Sequence, residues 1–190
     1  MNIQQTRIAV SAPRPAGRSL DLEPFIARFQ AWISEDQITD LVPIDVVDYR
    51  HLRDNPRVLL VAHHGVFALE RLGAGDLRLS FTRKRDPVGP AADRLVVALR
   101  EVARAVALLE AAEPRLRCDR HRIEVAVLSR LVADGPLAAT ALEAELRGLL
   151  PATSVVEMSG ESPVSLVVEF EEELDLRLVL WGEPKEVARG

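Results

Sequence analysis

The sequence predicts an α+β fold, a mainly antiparallel sheet with its helices on one face. Three observations carry that expectation. Between residues 41 and 81, short extended segments alternate with turn-forming residues. Two longer segments, one opening near Asp21 and one over residues 92–111, carry apolar residues at helical spacing. Both halves of the chain run in the order strand, helix, further strands, which predicts two similar β-α-β-β-β halves joined by a long helix.

Taken in order, residues 3–10 alternate loosely and suit a strand, followed by a loop rich in Pro and Gly over residues 11–19. A helix comes next. Asp21 offers an N-cap, Glu23 and Pro24 suit a first turn, and Leu22, Phe25, Ile26, Phe29, Trp32 and Ile33 fall on one face. Extended segments over residues 41–49, 57–62, 66–69 and 76–81 are separated by Asp54-Asn55-Pro56 and Gly73-Ala74-Gly75, the pattern of an antiparallel meander. Residues 58–62 are apolar on both faces, as expected of a strand inside the sheet rather than at its edge.

A turn-rich stretch over residues 86–90 leads to the longest helix, where Leu95, Leu99, Val102, Val106 and Leu109 form one stripe widened by Val96, Ala103 and Ala107. So wide a stripe fits a deeply buried helix or one shared with a second subunit. The second half predicts a strand over 121–128, a helix over 140–150, and strands near Val155, Ser165 and Leu176. Thr140 and Glu143 have capping-box spacing, and Pro151 stops the helix. The expected organisation is one compact domain made of residues 1–90, a connecting helix over 91–115 and residues 116–190.

Composition bounds the function. A chain of 190 residues that is 48% hydrophobic can bury a core without disulfide or metal staples. Its 24 basic and 29 acidic residues give a net charge of −5, and only 4% of residues are aromatic, which disfavours nucleic acid as a partner. Cys118 is the lone cysteine, no secretory pattern opens the chain, and no apolar run approaches the roughly 20 residues that span a bilayer. A soluble, cytoplasmic protein with no membrane partner and no cofactor is expected.

The densest polar constellation is Asp45, Asp48, Tyr49 and His51 after one strand, with His63 and His64 ending the next. Carboxylates and imidazoles are the ligand types of zinc, iron and manganese sites, so Asp48, His51 and His63 are the metal candidates. With Asp45, Arg83 and Arg85 they make the candidate ligand set, the arginines sitting in the tight basic run Arg83-Lys84-Arg85. The bland alternative is that the aspartates cap turns and a histidine is a satisfied structural residue. The acidic run over residues 169–173 suits a solvated hairpin. No Gly-x-Ser-x-Gly elbow is present, and the cations near Cys118 are a weak signal for a reactive thiol.

The stretch Ile44-Asp45-Val46-Val47-Asp48-Tyr49-Arg50-His51, followed by Val58-Leu59-Leu60-Val61-Ala62-His63-His64, resembles a family of uncharacterised bacterial proteins of about 190 residues with no established function. The likeness takes in the helix over 20–33 and extends more weakly to Leu131. It implies one continuous module, and an acidic residue in relatives where His64 stands argues against a catalytic role for that position. No catalytic residue is expected. The leading reading is a non-enzymatic accessory, scaffold or interaction module that self-associates, using either the stripe of Leu95, Leu99, Val102, Val106 and Leu109 or a sheet face. The alternative is a small-ligand or metal-binding module, or an enzyme, built on the Asp/His cluster.

Overall fold

The computed structural model describes residues 5–14, 20–73, 75–84, 91–128, 135–150, 153–158 and 164–175. The chain is α+β. Its strands are β1 (Thr6–Ala12), β2 (Pro43–Tyr49), β3 (Arg57–Ala62), β4 (Gly65–Arg71), β5 (Leu77–Arg83), β6 (Arg122–Val127), β7 (Thr153–Met158) and β8 (Val164–Phe170); its helices are α1 (Glu23–Ser34), α2 (Ala91–Ala112) and α3 (Gly135–Leu149). They form a sheet in the order β2-β3-β4-β5-β1-β6-β8-β7, antiparallel at every described pairing. The first strand of the chain therefore sits inside the sheet, hydrogen-bonded to β5 on one side and β6 on the other.

Alternation along each strand sends one set of side chains into a single core shared with the helices. Ile8 and Val10, Val58 and Leu60, Phe67 and Leu69, Leu77, Leu79 and Phe81, and Ile123 and Val125 meet Phe25, Phe29 and Trp32 of α1 and Leu142 and Leu146 of α3 in that core. α1 packs on β2 and β3, α2 on β1 and β5, and α3 on β7 and β8. An aromatic chain runs through the first half: Phe29 and Trp32 lie 4.9 Å apart, Trp32 and Phe67 5.8 Å, and Phe67 and Phe81 4.8 Å.

Several local expectations change. The helix α1 begins with Leu22 at the cap and no side-chain cap bond; Asp21 Oδ1 instead accepts the Glu23 N–H at 3.2 Å one step earlier. α3 starts at Gly135, so Thr140 and Glu143 lie inside it rather than at its first turn, and Glu143 accepts Arg147 one turn on. The strand expected near Leu176, the turn over 86–90 and Arg85 lie outside the described residues.

The edge strand β2 is blunted. Pro43 has no N–H to offer, and the register shifts by one residue between Pro43 and Asp45, a bulge that turns Ile44 out to 61% exposure. Just before it, Val42 adopts φ 53°, a left-handed conformation costly for a β-branched residue. Its carbonyl accepts the His63 N–H at 2.9 Å, which holds the strained residue in place.

Candidate functional site

The β2–β3 hairpin decides the fate of the Asp/His cluster. In an antiparallel pair, the end of one strand lies beside the start of the next. Asp48 sits across from Val58, whereas His63 follows Ala62, which sits across from Pro43. About 17 Å of strand separates the two ends at about 3.3 Å per residue. Asp48 and His51 therefore stand at one end of the hairpin and His63 at the other, and the expected convergence of Asp48, His51 and His63 on a metal ion is corrected. Among the described residues, no group of three or more His, Cys, Asp or Glu side chains is placed to hold one.

At the first end Asp48 serves the backbone. Asp48 Oδ1 accepts the Arg50 N–H at 2.9 Å, and its two oxygens accept the Arg50 guanidinium at 2.9–3.1 Å. Arg50 also reaches Glu23 at 3.2 Å, tying the hairpin to the start of α1. The guanidinium beside it holds the Asp48 carboxyl below the ordinary range. Asp45, opposite Val61 toward the other end of the hairpin, is exposed, and its Oδ1 accepts the N–H of Val46 at 2.7 Å. His51 is exposed with its ring 6.2 Å from that of Tyr49.

The other end gathers residues the sequence left apart. His64 N–H donates to Leu41 at 3.2 Å, and the exposed rings of His63 and His64 meet edge to face at 4.7 Å. Lys84 donates its N–H to His64 at 3.0 Å and its Nζ to the Ala62 carbonyl at 2.6 Å. Arg83, opposite Gly65 and Thr6, closes the same end. Of the candidate ligand set, Asp45, His63 and Arg83 lie toward this end of the sheet, and Asp48 and His51 stand at the other.

Near that end lies a carboxylate that the sequence reading passed over. Glu101 of α2 is only 5% exposed; among the described residues its Oε2 accepts no hydrogen bond, and it lies 3.8 Å from Arg104, which also approaches Asp40 at 3.6 Å. Burial pushes the Glu101 carboxyl above its usual range, with Arg104 opposing. Its position was legible. Glu101 falls between Ala98 and Ala105 at helical spacing, among core positions where a charge is out of place.

Cys118 is buried, and its N–H donates to Glu110 Oε1 at 2.8 Å while Arg120 pairs with the same carboxylate. Burial, with Glu110 nearby, pushes the thiol up to about 12, which makes it a poor nucleophile at neutral pH. The cavity it shares with Ile8, Val10, Leu99, Val106 and Leu174 is about 20 Å³, room for one water molecule rather than a substrate.

The α2 stripe is a second correction. Leu95, Leu99, Val102, Val106 and Leu109 are 0–6% exposed and pack inside the chain's own core, so none of them is available to a second subunit. The sheet beneath them holds the remaining candidate surface, the face left helix-free by the described helices. There the register aligns three rows: Tyr49, Arg57, Glu70 and Arg78; Val47, Leu59, Ala68, Ser80 and Ala9; and Asp45, Val61, Val66, Thr82 and Arg7. Toward β1 and β6 the charges pair internally. Glu70 accepts Arg78 at 2.7 Å and Asn55 at 3.3 Å, Arg78 approaches Glu124 at 3.7 Å, and Glu124 accepts Arg7 at 2.9 Å. Toward β2 the face is aliphatic, with Val47, Leu59, Val61 and Val66 half-buried and outside the shared core.

The acidic run begins at the end of β8. Glu169 lies on β8 opposite Arg122, and Glu171 to Glu173 are exposed. No described helix is long and apolar enough to cross a membrane. Comparison with protein-family models finds no match, and comparison with curated proteins finds none either.

Proposed function

We propose that the protein is a non-enzymatic interaction module that self-associates through the helix-free face of its sheet. One observation carries this reading: Val47, Leu59, Val61 and Val66 form a contiguous aliphatic patch on adjoining strands β2, β3 and β4, on the face that no described helix covers. Surface patches of this kind mark contacts with other proteins, and a patch that meets its own copy is self-complementary under two-fold symmetry. Pro43, the bulge at Ile44 and the charges of Asp45 and Asp48 discourage pairing along the β2 edge, which favours the face over the edge. The strand order supports the two-halves reading as well. In each half the first strand, β1 or β6, lies inside the sheet beside the last described strand of that half, and the strand after the helix lies outermost. The likeness to the bacterial family adds no activity to this proposal.

The test is the solution mass. Light scattering on a size-exclusion column should give a whole multiple of 21.0 kDa above one. Leu59→Asp, at a half-buried position outside the core, should return the mass to one copy with an unchanged far-UV spectrum. A wild-type monomer across the concentration range, or a Leu59→Asp protein that keeps both its fold and its mass, would overturn the reading.

A further inference from the structure

We propose that the partner on the helix-free face is a second copy stacked with its strands antiparallel, about a two-fold axis running along the row Val47, Leu59 and Ala68; this rests on the interface reading above. With the strands of the two copies aligned, two packings place Leu59 against its counterpart, and the charges around the patch choose between them. An axis parallel to the strands through β3 lays Arg57 on Arg57 of the copy, joining like charges in a contact that sheds water. An axis along the row, perpendicular to the strands, reverses the strand direction instead. It lays the row of Tyr49 and Arg57 over the row of Asp45 and Val61 of the copy, so Arg57 reaches Asp45 from the other chain, twice by symmetry.

Both charged groups have capacity for that contact. Arg57 lies over the Tyr49 ring at 5.5 Å and forms no ion pair among the described residues. Asp45 is exposed, and the only hydrogen bond it accepts among the described residues comes from the adjacent Val46 N–H. Within one chain the two lie on outer rows about 13 Å apart along the strand, too far to pair with each other. Stacked sheets lie about 10 Å apart, a gap that an arginine and an aspartate on facing strands can bridge together. The internally paired charges of Glu70, Arg78, Glu124 and Arg7 ask nothing of the partner, which leaves the Asp45 and Arg57 pair to set the orientation.

Charge reversal tests this. Sedimentation equilibrium on Asp45→Lys and on Arg57→Glu should each show self-association weakened by about tenfold or more, and the chain carrying both changes should recover most of the wild-type affinity. Should either reversal lose its far-UV spectrum, Asp45→Asn and Arg57→Met take its place, each expected to weaken association less. If association depends on Leu59 but the single reversals leave it unchanged, or the double reversal is weaker than either single, the antiparallel stacking is overturned and the interface stands. A monomeric wild type, or a dimer indifferent to Leu59→Asp, overturns the interface and the stacking with it.

Discussion

Gly65 opens β4 immediately after the His63-His64 turn, and its lack of a side chain is a packing requirement. A Cβ there would sit 2.3 Å from Cε2 and Cζ of Phe81 and 3.1 Å from the Thr82 carbonyl. The Phe81 ring has little room to yield. It is fully buried and held 4.8 Å from Phe67, which in turn packs on Trp32. Overpacking of this kind costs about 1–3 kcal/mol. Replacing glycine also removes freedom from the unfolded chain, which offsets about 0.4–1 kcal/mol. The net expectation for Gly65→Ala is a loss of about 1–2 kcal/mol. In a chain of this length that is a fall in Tm of about 2–8 °C, read by circular dichroism at 222 nm and checked by urea unfolding with an unchanged m-value. The explanation names its own control. In a Phe81→Leu background the two clashing ring atoms are gone, so adding Gly65→Ala should cost less than about 0.5 kcal/mol even though Phe81→Leu is itself destabilising. An equal loss in both backgrounds would refute the steric account, and no loss in either would refute the requirement altogether.

Two further outcomes follow from the buried polar groups. Burial raises the folded-state pKa of Glu101 above its unfolded value of 4.5, so the stability contributed by its protonated form is complete below about pH 4.5 and is lost as pH rises through the folded-state value. Glu101→Gln, neutral throughout, should therefore gain on the wild type between pH 4 and pH 8, by about 1 kcal/mol or about 2–4 °C in Tm; a Tm difference that does not move with pH would contradict the assignment. Cys118, with its thiol pushed up to about 12, should react with a chromogenic disulfide at pH 8 only after denaturant is added, and stoichiometric labelling of the native chain within minutes would show that its burial is not maintained.

The fold was legible where one local signal dominated. The meander came through because turn-formers punctuate it, and the long helix because its stripe repeats over 22 residues. The start of α3 was misplaced because a capping-box pattern lay inside a helix that begins five residues earlier. The ambiguity of the α2 stripe could not be resolved from its own residues, since burial against β1 and β5 and burial against a subunit impose the same apolar spacing. The polar cluster failed for a different reason. Asp48, His51 and His63 lie close in sequence, but strand direction put them at opposite ends of a hairpin. The group that does assemble draws Asp40, Arg83, Glu101 and Arg104 from three separate stretches of chain, and no motif links them.

The place of β1 has a bearing on how the molecule can be built and broken. Its inner edge pairs with β5, about seventy residues later, and its outer edge with β6, more than a hundred residues later. A chain emerging from synthesis can complete the five-stranded half while the outer edge of β1 stands bare, a template waiting for β6. The slow, non-local step is then the docking of the second half onto that edge. Loss of the first dozen residues would not trim a strand from the margin; it would cut the sheet through its middle and leave β5 and β6 each with an open side.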